Sequence, residues 1–271
     1  MSRVPDNQLF EPRLPEGASF KLIGLGGVGG IVARYGAIFL ASLRQEVRLI
    51  LIDGDTFESS NASRMFFGTY GNKAAVTREE LVLRFADSSL SLIAIEEFIT
   101  ADNIGRLVRE DDFVILAVDN YATRKLVSDH CARLQNVCLI SGGNDGVGPD
   151  TSGTILRGTY GNAHVFWRRN GADVSPSLTR FHPEIGNPAD KLPTELSCTE
   201  LVAAVPQILF ANLMTASCIL NTLWLHLCGA LHYSELSFDI ADGLMRPALP
   251  LKVETHEPLR IPICPAETLR T

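Results

Sequence analysis

Four glycines, Gly24, Gly26, Gly27 and Gly29, form the pattern GLGGVG between an apolar run, FKLI, and a segment, GIVARYGAIFL, with apolar residues at helical spacing. A tight turn without Cβ atoms that opens a helix leaves unpaired N–H groups on which a phosphate can sit. Further along, VRLILIDGD is a continuous apolar run ending in Asp53 and Asp55, and an acid at that place takes the hydroxyls of a ribose. Glycines and Asp53 alone would serve a dinucleotide equally well. The chain continues, however, through DGDTFESSNASR and GNK, which add Asn61, Arg64 and Lys73. Attack on the α-phosphate of ATP needs cations, because negative charge develops there and pyrophosphate must depart. Arg64 and Lys73 could clamp those oxygens, although two cations equally suit a solvated surface. Asp119 closes the run DDFVILAVDN and offers hard oxygens for Mg²⁺ beside a triphosphate. As an N-cap for the helix-compatible segment behind it, the same residue would be structural.

Strands and helices must alternate to bring these residues to one edge. The expected order is a strand before the glycines, a helix after them, the strand ending at Asp53, and a polar loop. A helix from Lys73 to Phe85, a strand over Ser91–Ile95, the strand ending at Asp119, a helix over YATRKLVSDHCARL and a strand VCLISGG follow. Continuous apolar runs are what parallel strands covered on both faces require, so the fold class is α/β: a Rossmann-like, mostly parallel sheet flanked by helices. After Gly148, TSGTILRGTY and AHVFWRRNG suit an antiparallel hairpin, and the polar stretch Asp173–Cys198 reads as a crossing loop. Residues 201–234 carry no charge and are mostly helix-compatible, with Pro206 tolerable in a first turn. SELSFDI and the region around LKVE read as closing strands. Residues 18–148 are thus expected to form an ATP-binding Rossmann-like region. Residues 149–271 complete the same domain with a C-terminal antiparallel extension, comprising the crossing loop, a buried helix and closing strands.

The charge balance, 24 Lys and Arg against 31 Asp and Glu for a net of −7, opposes nucleic acid and anionic membrane as partners. Gln207, Asn212, Asn221 and His226 interrupt the charge-free stretch, which is expected to lie in protein contacts and not lipid. Six cysteines contain no CxxC pair, so neither a zinc knuckle nor a redox motif is signalled. With no apolar h-region near the N-terminus, the expected compartment is the cytoplasm.

The ordered set GLGGVG, LIDGDTFESSNASR, GNK and AVDNYATR resembles the ThiF/MoeB superfamily, which includes the ubiquitin-activating enzymes. The resemblance implies ATP-dependent adenylation of the C-terminal carboxylate of a ubiquitin-like or sulfur-carrier protein with a C-terminal glycine tail. It implies ATP and Mg²⁺ as cofactors and a homodimer or heterodimer. Residue by residue, Asp53 resembles the ribose-binding acid, Asn61 and Arg64 the nucleotide and phosphate contacts, Lys73 the phosphate lysine, and Asp119 the magnesium-linked acid. Asn120 and Arg124 match the segment that follows. LSCTELVAAVP resembles the cysteine segment of activating enzymes, which makes Cys198 the candidate for thioester formation. The four-cysteine zinc site of many relatives is missing, and the stretch before the first strand lacks the usual leading helix, so neither Arg3 nor Arg13 is assigned the arginine that completes a partner's site. Two other readings stay open: an NAD-dependent oxidoreductase, which leaves Asn61, Arg64 and Lys73 without a task, and a catalytically silent subunit that pairs with an active partner.

Overall fold

The computed structural model describes residues 10–63, 65–149, 153–195 and 207–249. The strands are β1 (Ser19–Ile23), β2 (Val47–Ile52), β3 (Thr56–Phe57), β4 (Gly71–Asn72), β5 (Leu90–Ile95), β6 (Phe113–Leu116), β7 (Val137–Asn144), β8 (Val147–Pro149), β9 (Ile155–Arg157), β10 (Tyr160–Arg169), β11 (Ala172–Asp173), β12 (Glu235–Asp239) and β13 (Leu244–Ala248). The helices are α1 (Gly27–Ser42), α2 (Lys73–Phe85), α3 (Ile104–Leu107), α4 (Tyr121–Cys131), α5 (Leu178–Phe181), α6 (Pro183–Gly186) and α7 (Leu209–Leu227).

One sheet dominates, in the order β13-β12-β10-β7-β6-β1-β2-β5. Strands β7, β6, β1, β2 and β5 are mutually parallel, whereas β10, β12 and β13 extend the sheet antiparallel. The apolar runs divide their side chains between two cores. Phe20, Leu22, Leu49 and Leu51 face one with Val32, Leu40, Leu81, Ile219 and Leu223 of α1, α2 and α7. Ile23, Ile50 and Ile52 face the other with Ile104, Leu107 and Val127 of α3 and α4. Burial on both faces is why these strands do not alternate polar with apolar.

Several expectations change after Gly148. The anticipated hairpin does not form, because β9 pairs with β8 while β10 lies between β7 and β12. The ten residues of β10 are long and apolar enough to be taken into the main sheet, whereas β9 is short and largely exposed. The stretch read as a crossing loop carries α5, α6 and a 3-10 turn over Pro193–Glu195. Strand β6 stops at Leu116, three residues short of Asp119. Helix α7 spans 19 residues and presents Ala211, Thr215, Ala216, Ile219 and Leu223 to protein. Among the described residues, no helix is long and apolar enough to cross a membrane. The expected strand near LKVE and the proline at 206 lie outside the described residues.

Candidate active site

Three of the four motif glycines are held by backbone geometry or contact. Gly24 follows β1 with φ +88°, and a Cβ there would lie 2.8 Å from the Ala117 carbonyl oxygen and from Val118 Cγ1. A Cβ on Gly29 would overlap the Gly24 carbonyl oxygen, and one on Gly27 would overlap Asn212 Nδ2. The chain therefore closes on itself here only without side chains. Helix α1 begins at Gly27, with no side-chain cap and no acid in its first turn, so its leading N–H groups keep their capacity for an anion. Helices α2 and α4 differ, since Asn72 Oδ1 accepts from the N–H groups of Ala74 and Ala75 and Asn120 Oδ1 from that of Thr123.

Asp53 stands just beyond β2 with its side chain turned into the loop. Leu25 N–H donates to its Oδ2 at 2.6 Å and Asp55 N–H to its Oδ1 at 2.9 Å. Burial raises the pKa of this carboxyl, while the charge of Lys73 and the two backbone donors act the other way. Lys73 opens α2, is buried, and pairs through its Nζ with the half-exposed carboxylate of Asp55. Its backbone N–H also donates to the Asp55 carbonyl at 2.9 Å. Asn72 Nδ2 donates to the Asp53 carbonyl at 2.9 Å, so α2 is pinned to the end of β2 and its lysine has little freedom.

Asn61 lies in a 3-10 turn, Ser59–Ser63, buried, with Oδ1 accepting Glu58 N–H at 3.0 Å. The chain beyond it is drawn over the glycines: Met65 N–H donates to the Asn61 carbonyl at 2.9 Å, and Met65 Cε would be 3.7 Å from a Cβ on Gly26. Arg34 of α1 holds the same loop by donating to the Phe66 carbonyl and to Glu80, whose other oxygen accepts Gly68 N–H at 2.7 Å. Sequence reasoning missed Arg34 and Glu80 because their partners are distant in the chain. Arg64 itself lies outside the described residues, as do Cys198 and Arg3. Arg13 is exposed, and its backbone N–H donates to the Leu227 carbonyl at 2.9 Å.

Asp119 is exposed and is not the cap of α4, a task that falls to Asn120. Asn120 also donates through Nδ2 to the Lys191 carbonyl, and Asp190 accepts the N–H groups of Tyr121 and Ala122 at 2.7 and 2.9 Å. The crossing segment is thus clasped to the start of α4. Arg124 is buried and bridges two strand ends, donating to Ser141 Oγ at 2.7 Å and to the carbonyls of Val118 and Gly142 at 2.6 and 2.9 Å. Its task is to hold the edge on which Asp119 sits.

The glycine cradle, the uncapped helix start, Asp53 and Lys73 fit a nucleotide triphosphate. Among the described residues there is no cluster of three or more His, Cys, Asp or Glu that could hold a metal. Cys131, Cys138 and Cys218 are buried, and burial pushes the thiol of Cys131 up to about 12 and that of Cys218 up to about 11, and raises that of Cys138 as well.

A parallel sheet whose first crossover opens on this cradle defines a Rossmann-type nucleotide-binding protein. The ThiF family model matches residues 16–233, and the chain belongs to the ThiF family. Adenylyltransferase and sulfurtransferase MOCS3-1 of Zea mays is 29% identical over 141 residues, 51% of this chain and 29% of that protein. Protein HesA of Leptolyngbya boryana is 28% identical over 140 residues, 51% of this chain and 48% of the relative. Among solved structures, E. coli MccB with ATP superposes with a TM-score of 0.60 at 17% identity, covering 87% of this chain and 64% of that one. The last likeness is one of fold. The chain spans less than two thirds of the length of each of these relatives.

Proposed function

We propose that this chain adenylates the C-terminal carboxylate of a ubiquitin-like or sulfur-carrier protein at the expense of ATP. The observation that carries the reading is Lys73, a buried cation fixed against Asp55 beside Asp53 and the glycine loop. A hydride-transfer site on the same fold would give that lysine no task. The relative from Zea mays is named an adenylyltransferase and MccB has been crystallised with ATP, which supports the same chemistry here.

In this reading the triphosphate rests on Gly24–Gly29, the ribose on Asp53, and the phosphate oxygens against Asn61, Arg64 and Lys73. Asp119 holds Mg²⁺, which when bound neutralises charge on the leaving pyrophosphate. A carboxylate oxygen of the carrier bonds to the α-phosphorus as the bond to the β-phosphate oxygen breaks, giving an acyl-adenylate and pyrophosphate. No proton changes hands, so catalysis rests on alignment and on cations that meet the growing charge. Cys198 is the proposed nucleophile of a second step, in which its thiolate takes the acyl group and AMP leaves.

Carrier-dependent ATP–pyrophosphate exchange tests the first step, using small proteins with C-terminal glycines. Arg64→Ala and Asp119→Ala should each lower exchange at least about tenfold, since one lost transition-state contact commonly exceeds 1.4 kcal/mol. Unchanged exchange in both folded variants would remove this mechanism. Complete absence of exchange in the unaltered chain would favour a protein-binding subunit without its own activity. A thiol-sensitive adduct that is lost in Cys198→Ala while exchange persists is the result expected for the second step.

A further inference from the structure

Helix α7 meets α1 at the glycine loop, and the residue at the meeting point is Asn212. It has no exposed surface, and neither its Nδ2 nor its Oδ1 has a hydrogen-bond partner. The other buried polar side chains on this face of α7 are paired: Thr215 Oγ1 donates to the Ala211 carbonyl at 2.9 Å, and Thr222 Oγ1 meets Tyr233 OH at 3.1 Å. An unpaired buried carboxamide costs free energy that alanine at the same helix contact would not. The amide lies directly against Gly27, where a Cβ would overlap Nδ2 and lie 3.1 Å from Cγ of Asn212, so only glycine lets the carboxamide reach the start of α1.

A second observation lies in the caps: α2 and α4 are capped by Asn72 and Asn120, while α1 and α7, whose first turns meet at Gly27, have no side-chain cap. The unmet N–H groups of α1 and the unmet N–H groups of Asn212 Nδ2 therefore lie together at Gly27. Donors without acceptors, gathered at a helix start, suit a ligand with several acceptor oxygens and negative charge.

We propose that Asn212 is a nucleotide-binding residue, whose carboxamide donates across Gly27 to the phosphate chain seated on the glycine loop. The proposal rests on the adenylation reading and adds to it a ligand contact from the far end of the chain. Gln207, whose Oε1 would be 3.5 Å from a Cβ on Gly27, flanks the amide. The free protein carries the cost of the unpaired Nδ2 donors, and the phosphate oxygens of the nucleotide accept from them.

The test pairs calorimetric titration of the full chain with ATP and adenosine against thermal denaturation of the ligand-free protein. Asn212→Ala should melt at or above the unaltered midpoint and bind ATP at least about tenfold more weakly, with adenosine binding changed less than about twofold. Asn212→Ser supplies a hydroxyl that can bond back to the Ile208 carbonyl, as Thr215 does to Ala211, and should show the same loss of ATP affinity if the alanine variant does not fold. Unaltered ATP affinity in a folded variant would overturn the assignment while leaving the adenylation site standing. An equal loss for ATP and adenosine would also overturn it, by making Asn212 a determinant of pocket shape and not a phosphate contact. Failure of the unaltered chain to bind ATP would instead remove the nucleotide reading itself.

Discussion

The carboxylate of Asp53 accepts the backbone N–H of Leu25 at 2.6 Å, across 28 residues of sequence, and so ties the end of the second strand to the glycine loop after the first. Its other oxygen accepts Asp55 N–H at 2.9 Å. The residue proposed for ribose contact is thus also the clasp of the loop. Asp53→Asn keeps the size but offers one acceptor oxygen to two backbone donors. It should cost about 1–3 kcal/mol in urea denaturation and weaken ATP binding in parallel. A variant with unaltered stability would mean that the two donors find other partners.

Glycines on the same helix should respond oppositely to alanine. Gly29→Ala drives a methyl into the Gly24 carbonyl oxygen, a backbone atom that cannot turn aside, and should prevent the loop from closing, with loss of the cooperative thermal transition or a large fall in its midpoint. Gly36→Ala places its methyl 3.7 Å from Leu220 Cδ2, an ordinary contact. It should stabilise by about 0.5–1 kcal/mol by removing backbone freedom from the unfolded chain.

Arg124→Met tests the bracing of the sheet edge. The guanidinium is buried and its loss leaves Ser141 Oγ and the carbonyls of Val118 and Gly142 without their donor. The expected destabilisation is about 2–4 kcal/mol, with pyrophosphate exchange at low temperature reduced because Asp119 shares that edge. Thermal denaturation and exchange measured on one preparation check both parts.

Two neighbouring histidines should give opposite pH dependences. Burial lowers the pKa of His164 to about 4 against the opposing charge of Glu235. Its contribution is therefore full above about 6.5, its unfolded value, and is lost as pH falls toward 4, on the order of 3 kcal/mol in all. His226, also lowered to about 4 by burial, adds a loss of the same sign. His182 is only partly buried, and its contacts with Glu235 and Glu184 outweigh that burial and raise its pKa. Its stabilisation is full below about 6.5 and disappears as pH rises through the raised value. Urea midpoints against pH should show His164→Gln flattening the acid limb and His182→Gln flattening the alkaline one. Identical profiles for the two variants would contradict these assignments.

Local pattern alone determined much of the nucleotide edge. The glycines of GLGGVG, the run VRLILI and the helix Lys73–Phe85 are legible because a Cβ-free turn, burial on both sheet faces and an Asn-capped amphipathic segment each leave a signature within a few residues. Candidate roles for Asp53, Lys73 and Asp119 followed from residue type and order along that edge, and that of Asn61 from the resemblance to the family. Tertiary structure decided what those side chains spend their hydrogen bonds on. Asn120 caps α4 and reaches Lys191, Arg124 braces two strands, and Arg34 with Glu80 holds the loop beyond Asn61. It also placed β10 between β7 and β12 in place of a local hairpin, and set Asn212 against Gly27. Apart from the α4 cap and the Arg124–Val118 bond, such partners lie from 17 to nearly two hundred residues apart, and no local periodicity encodes them: they exist only once burial of the apolar faces has folded the sheet and brought α7 onto α1.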